Sequence, residues 1–185
     1  MKTLKKLSLI SLFVLLLVGC DALGDLLTIT IKNVKMTKDI EISVTAPATV
    51  NGQQAPDVAS YPFTKSATIQ LSQTEELEEY LDNIKEITLN SIMCNVNGVT
   101  QGVVQSLSLT INPLNITKTI ENVTVGEDVD VTFTAEEFKT ISNSLLNAQQ
   151  LEFVLTGNVS SRPVTFNVTV TVDANFKVKV LKDQE

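Results

Sequence analysis

The sequence contains no histidine, no tryptophan, two tyrosines, two cysteines and a single arginine. The missing histidine removes the usual general base, the usual partner of a catalytic nucleophile and the commonest zinc ligand. The scarcity of tyrosine and tryptophan removes most of the rings on which a protein stacks sugars. These absences predict a protein that is not an enzyme and that binds no metal or cofactor.

The two cysteines lie in different surroundings. Cys94 follows Ile92 and Met93 in an apolar segment without a neighbouring base, which favours a small buried side chain over a reactive thiol. Cys20 instead ends the apolar leader of the chain. If Cys20 is modified there, Cys94 is the only thiol left and no disulfide can form. Stability must therefore come from the hydrophobic core rather than from a disulfide.

The first twenty residues have the anatomy of a secretory signal. Three lysines within the first six residues precede an apolar run of twelve residues, 7–18, which ends at Gly19 and Cys20. This run is short for a membrane span, which needs about 20 apolar residues. Leu17-Val18-Gly19-Cys20 resembles the lipobox of bacterial lipoproteins, and the resemblance implies cleavage before Cys20 and acyl chains on that cysteine.

The resemblance divides the chain into a signal peptide (1–19), a lipidated cysteine with a short tether (20–26) and one domain (27–185). Two or more acyl chains give stable membrane anchoring. Membrane lipid is thus the expected partner through Cys20, on the periplasmic face or the surface of a bacterial cell. The tether spans at most about 20 Å, which places one end of the domain near the bilayer.

The charge of the chain is strongly negative. The full sequence carries a formal charge of −7, and without residues 1–19, which hold three lysines and no acid, the charge is −10. Such a surface argues against nucleic acid as a partner, because phosphate contacts require lysine and arginine.

Alternating apolar and polar residues run through most of the domain, which is typical of strands with one buried face. The pattern predicts an all-β, antiparallel sandwich of about eight to ten strands, with a closed β-barrel as the alternative. The apolar phases are Leu27/Ile29/Ile31, Ile40/Ile42/Val44, Leu107/Leu109/Ile111, Val129/Val131/Phe133, Leu151/Phe153/Leu155, Val164 to Val172 and Phe176/Val178/Val180.

Turn residues separate these runs at Asn97-Gly98, Gly126-Glu127, residues 160–163 and residues 173–175. The short separations predict that consecutive strands pair with each other.

Two segments change to a helical period. In the first, Leu77, Leu81 and Ile84 fall on one face behind several acids; in the second, Thr134 and Glu137 have the spacing of a capping box. The two segments sit in similar strand–helix–strand contexts, 68–96 and 129–159, which suggests a weak internal duplication. The acids of residues 75–82 are expected to form a solvated helix face rather than a calcium site.

The polar passage 46–65 is the one substantial predicted loop, and loops carried by rigid sheets often bind partners. Its residues Asn51, Gln53, Asp57, Tyr61 and Phe63 form a possible partner-contact loop, with the two aromatic rings expected to be exposed.

Three classes of function remain open on these grounds. The first is a non-enzymatic, membrane-anchored accessory or binding module of the cell envelope, with an unidentified protein or glycan partner. The second is a structural subunit of a surface fibre, resembling lipoprotein pilins that exchange strands after cleavage at an N-terminal arginine. The single arginine, Arg162, lies far from that position. The third is a glycan hydrolase that uses carboxylates alone.

Overall fold

The computed structural model describes residues 28–45, 60–120 and 123–180, so the predicted signal peptide, Cys20 and the tether lie outside the described residues. The described chain forms eight strands, one α-helix and two 3-10 helices. They are β1 (Thr28–Val44), β2 (Tyr61–Gln70), η1 (Leu71–Gln73), η2 (Glu75–Asn83), β3 (Ile84–Asn97), β4 (Val104–Asn112), β5 (Ile116–Ile120), β6 (Asp128–Asp130), α1 (Ala135–Ala148), β7 (Gln150–Val159) and β8 (Val164–Lys179).

The strands form two four-stranded antiparallel sheets, with the orders β1-β8-β3-β6 and β2-β7-β4-β5. Their inner faces enclose one core, which confirms the sandwich and excludes the barrel for the described residues. The prediction that consecutive strands pair is wrong except for β4 and β5, because most short turns cross from one sheet to the other. This order is that of a jelly roll, in which two Greek keys interleave.

Strand β8 forms the centre of the first sheet and is continuous where the sequence predicts a turn. Asp173 and Ala174 pair with both neighbouring strands, Asn175 pairs with Thr88 of β3, and Ala174 is completely buried. The inward phase continues unbroken from Val164 to Val178. Asp173 and Asn175 point outward from the sheet, where both form hydrogen bonds with the Asn90 side chain, so the predicted turn at these residues is wrong.

Two β-bulges change which residues face the core. In β1 the register shifts between Ile31 and Val34, where Asn33 takes a φ of 56°; in β3 it shifts between Leu89 and Ser91. An extra residue in a strand reverses the alternation beyond it. The bulge in β1 joins two runs that the sequence pattern separates. Ile29, which precedes the bulge in β1, is 45% exposed.

Helix α1 begins with the predicted capping box. Thr134 accepts a hydrogen bond from the Glu137 N–H, and the Glu137 carboxylate accepts one from the Thr134 N–H. Ile141 and Leu145 are fully buried. The other predicted helix is instead the 3-10 helix η2, which buries Leu77. The two helices connect the sheets in opposite directions; the suggested duplication stays a prediction.

The strand directions give the molecule two distinct ends. Thr28 pairs with Lys179, and Ile84 pairs with Val178, so the start of β1 and η2 share one end, here called the helix end. Val44 pairs with Val164, and Tyr61 pairs with Val159, at the opposite loop end. At about 3.3 Å per residue, the 17 residues of β1 separate these ends by roughly 50 Å.

Candidate functional site

A groove of about 520 Å³ opens at the loop end, between the edges of the two sheets. Its walls are residues 41–45 from the end of β1, residues 61–65 from the start of β2, and Arg162 from the turn between β7 and β8. This set defines the loop-end groove. The two strands pair with β8 and β7 respectively, so each presents its other edge to the groove.

Two basic side chains line this groove, and neither forms an ion pair within the described residues. The Arg162 guanidinium lies over the Tyr61 ring, with its central carbon 4.2 Å from the ring centroid. Lys65 occupies an inward-facing position of β2, opposite the buried Leu155, and its side chain is exposed. Among the described lining residues Glu41 is the one carboxylate, so these residues together carry a small excess of positive charge.

Two turns beside the groove are joined by hydrogen bonds. The Thr100 N–H donates to the Thr165 carbonyl at 3.2 Å, and the Thr165 N–H donates to Thr100 Oγ1 at 3.1 Å. Val103 and Ser160 are joined by two further bonds, and Gln101 donates to the Pro163 carbonyl. The backbone that carries Arg162 is therefore held on both sides.

The predicted partner-contact loop falls only partly within the described structure. Asn51, Gln53 and Asp57 lie outside the described residues. Tyr61 and Phe63 belong to β2 and are 4% and 8% exposed, so the expected exposure of their rings is wrong.

The reason for this burial is local packing. Arg162 covers the Tyr61 ring, and the Phe63 ring lies beside Gly157 and meets Phe166 edge to face at 5.4 Å. Lys65 and Arg162 were not among the residues predicted from the sequence. Two features of the sequence could have pointed to them. Lys65 occupies the apolar phase of a strand, and Arg162 is the only arginine of the chain.

Three lysines on the edge strands of the two sheets lie at positions that face the core. Edge strands β1, β2 and β5 each place one lysine in the inward phase, directly opposite a fully buried residue of the neighbouring strand. The pairs are Lys38 with Val170, Lys65 with Leu155, and Lys118 with Leu109. An inward charge on an edge strand opposes pairing with another sheet, because a further strand would bury it.

The remaining edge is short or covered. The fourth edge strand, β6, has three residues. Beyond β6, helix α1 packs against β3, where Ser142 Oγ accepts a hydrogen bond from the Leu89 N–H at 3.3 Å. Among the described strands, every edge therefore carries an inward lysine, is very short or is covered by a helix.

Chemically reactive arrangements are scarce in the described ranges. Cys94 is buried in β3, as predicted, and burial raises the pKa of its thiol to about 12. No group of three or more cysteine and acidic side chains is placed to hold a metal ion in these ranges. No helix there is long and apolar enough to cross a membrane.

Neither a protein-family model nor a curated protein matches the chain. Among solved structures, it is similar to the BFDV capsid protein in a decameric form, with 12% identity over 80% of this chain and 98% of the other and a TM-score of 0.42. The 60-mer form of that protein gives 8% identity over 85% and 97%, with a TM-score of 0.38. Desmodium yellow mottle tymovirus gives 12% over 77% and 97%, with a TM-score of 0.31. These values give no basis for transferring a function.

Proposed function

We propose that the chain is a membrane-anchored lipoprotein and serves as a non-enzymatic accessory or binding module of a bacterial cell envelope. The observation that carries the proposal is the leader of basic residues, apolar run and Leu17-Val18-Gly19-Cys20. Acyl chains on Cys20 are the proposed link to the membrane. The module faces the periplasm or the cell exterior.

A binding role is supported by what the described residues offer chemically. The chain lacks histidine, and the Cys94 thiol is buried with a raised pKa. A buried, protonated thiol is a poor nucleophile. The loop-end groove, by contrast, combines an arginine stacked on a ring, an exposed lysine and an open volume, which suits a binding site.

The strand directions support a particular orientation of the module. Thr28, the first described residue, begins β1 at the helix end, and only seven residues separate it from Cys20. The loop-end groove lies at the other end of β1, roughly 50 Å away. A lipid on Cys20 thus places the helix end near the bilayer and the groove away from it.

The protected edges favour this module over a fibre subunit. Strand exchange between subunits requires an edge that accepts a further strand, and the inward Lys38 and Lys65 oppose this on β1 and β2. Arg162 lies in the turn between β7 and β8 rather than near the N-terminus, where cleavage in pilin-like families occurs.

Metabolic labelling of the full chain with a palmitate analogue in a bacterial host tests the anchor. The wild type and Cys94→Ala are expected to take up label, whereas Cys20→Ala is expected to take up none. Cys94→Ala is the matched control because it removes the other cysteine. Label that persists in Cys20→Ala, or is absent from the wild type, contradicts the lipoprotein proposal.

Protease treatment of intact cells then distinguishes the two faces. Digestion of the labelled protein on whole cells places the module at the surface. Protection that ends when the outer envelope is opened places it in the periplasm. Protection that persists after the envelope is opened, with digestion only after lysis of the inner membrane, contradicts both locations.

A further inference from the structure

We propose that the loop-end groove binds an acidic oligosaccharide, with Arg162 and Lys65 as its basic contacts. This inference rests on the proposed binding function and specifies its ligand. The groove, its two basic side chains and its hydroxyl-rich walls carry the argument.

The charges in the groove point to an anionic ligand. Arg162 and Lys65 both line it, and among the described residues neither has an ion-pair partner. In a chain with 14 basic and 21 acidic residues, two unpaired cations in one groove are a local reversal of the overall charge. A guanidinium binds a carboxylate through two parallel hydrogen bonds, and a lysine adds a point charge.

Arg162 is held in place before any ligand arrives. Its guanidinium stacks on the buried Tyr61 ring, and hydrogen bonds between the two neighbouring turns hold its backbone. Stacking leaves the edge of a guanidinium available for hydrogen bonds. Little side-chain freedom is then lost on binding, which preserves affinity.

The remaining walls suit a sugar. Thr45 and Thr64, both exposed, carry hydroxyls that no hydrogen bond within the described residues engages, whereas the Ser43 hydroxyl lies near Thr165 Oγ1 and Glu41. The volume of about 520 Å³ lies within the range of ~300–1,000 Å³ found for small-molecule sites. The Tyr61 and Phe63 rings are buried, so recognition depends on polar groups rather than on stacking.

A peptide that adds a strand to β2 is the less favourable occupant. Such a strand would place an inward side chain beside Lys65, which lies in the inward phase opposite Leu155. Burial of that ammonium under a new strand costs free energy that an oligosaccharide lying along the open groove avoids. The same lysine that opposes strand addition is thus free to bind a carboxylate.

Calorimetric titration of the purified full chain tests the proposal with two acidic probes, tetragalacturonate and sialyllactose. Their neutral counterparts, galactotetraose and lactose, are the ligand controls. At least one acidic probe is expected to bind, more tightly than its neutral counterpart. Lys65→Gln and Arg162→Gln are each expected to raise its Kd roughly tenfold or more, since each removes a charge-assisted contact.

Lys38→Gln is the matched control variant, because Lys38 is an inward lysine of β1 outside the groove. It is expected to leave the Kd unchanged. Arg162→Lys keeps the charge without the two-bond geometry, and an intermediate Kd is expected. Should Arg162→Gln unfold, the exposed Lys65 still provides the test.

Four results would overturn the proposal: no binding of either acidic probe, equal binding of acidic and neutral probes, undiminished binding by Lys65→Gln, or tighter binding of tetraglutamate than of both acidic sugars. Labelling at Cys20 is measured separately. Failure of the anchor and failure of the ligand are therefore distinguishable.

Discussion

Asn175 connects the bulges of two strands from its position in central strand β8. Its Oδ1 accepts a hydrogen bond from the Asn33 N–H at 2.9 Å, and its Nδ2 donates to Asn90 Oδ1 at 3.0 Å. Asn90 in turn donates to Asp173 Oδ1 at 2.5 Å. At the β1 bulge Asn175 thus bonds a backbone N–H that lies out of register, and at the β3 bulge it bonds the side chain of the extra residue, Asn90.

Replacement of Asn175 by alanine is expected to lower the free energy of unfolding by about 0.5–1.5 kcal/mol, because solvent-exposed donors and acceptors at both bulges lose their partner. Asn167→Ala is the matched control: Asn167 also faces outward from β8, and no hydrogen bond involves its side chain in the described residues. It is expected to change stability by less than about 0.5 kcal/mol. Urea unfolding curves measure both, and equal shifts would contradict the role of Asn175.

The Cys94 thiol is expected to resist alkylation in the folded protein. Burial raises its pKa from an ordinary value of 9.0 to about 12, so the reactive thiolate is nearly absent at neutral pH. Because the folded pKa is the higher one, this group favours folding below about pH 9 and less so as the pH rises towards 12. Mass spectrometry after iodoacetamide treatment should find Cys94 modified in urea only; rapid modification without urea would disprove its burial.

At the level of elements, the sequence predicts strands and helix α1 well where one pattern holds throughout. Leu107, Leu109 and Ile111 alternate over a whole strand, and all three are completely buried. The pattern fails where neighbouring strands decide the outcome. Residues 173–175 have turn composition, yet pairing with β1 and β3 keeps them extended. The bulge at Asn33 likewise depends on Asn175, which is 142 residues away.

The N-terminus of α1 is expected to make stability depend on pH. The side-chain hydrogen bond from Lys118, at 2.8 Å, is the main cause that lowers the pKa of Glu137 below 4.5, and the Thr134 N–H adds to it. This contribution is present above the ordinary pKa and is lost as the pH falls through the lowered value. Glu137→Gln should therefore be less stable than the wild type near pH 7 and approach it near pH 3.

Thermal unfolding of both proteins across this pH range measures the effect. Glu136→Gln is the control, since the neighbouring Glu136 also lies in the first turn of α1 but forms no ion pair with any described residue. The difference in unfolding temperature between Glu136→Gln and the wild type should change less with pH. If the unfolding temperature of Glu137→Gln differs from that of the wild type by the same amount at every pH, the ion pair and the capping box are excluded as the cause of its lower stability.

At the level of the whole molecule, the jelly-roll order brings together residues that no local pattern relates. The loop-end groove combines the end of β1, the start of β2 and the turn before β8. Composition predicts an acidic surface, but only the fold places Lys65 and Arg162 beside the same groove. Tyr61 and Phe63 of the predicted partner-contact loop lie at the start of β2, but both rings are buried, so their expected exposure is wrong.

The inward lysines are expected to keep the molecule from associating through its edges. In the double variant Lys38→Val, Lys65→Val, both charges become β-branched apolar side chains, and β1 and β2 become continuous apolar edges. Sedimentation velocity should show concentration-dependent dimers or larger species where the wild type is monomeric. Lys35→Val, Lys177→Val is the control, because these lysines lie on the outer faces of β1 and β8 and their loss removes the same two charges without altering the inward phase. If the control associates as strongly as the double variant, net charge and not inward placement is what protects the edges.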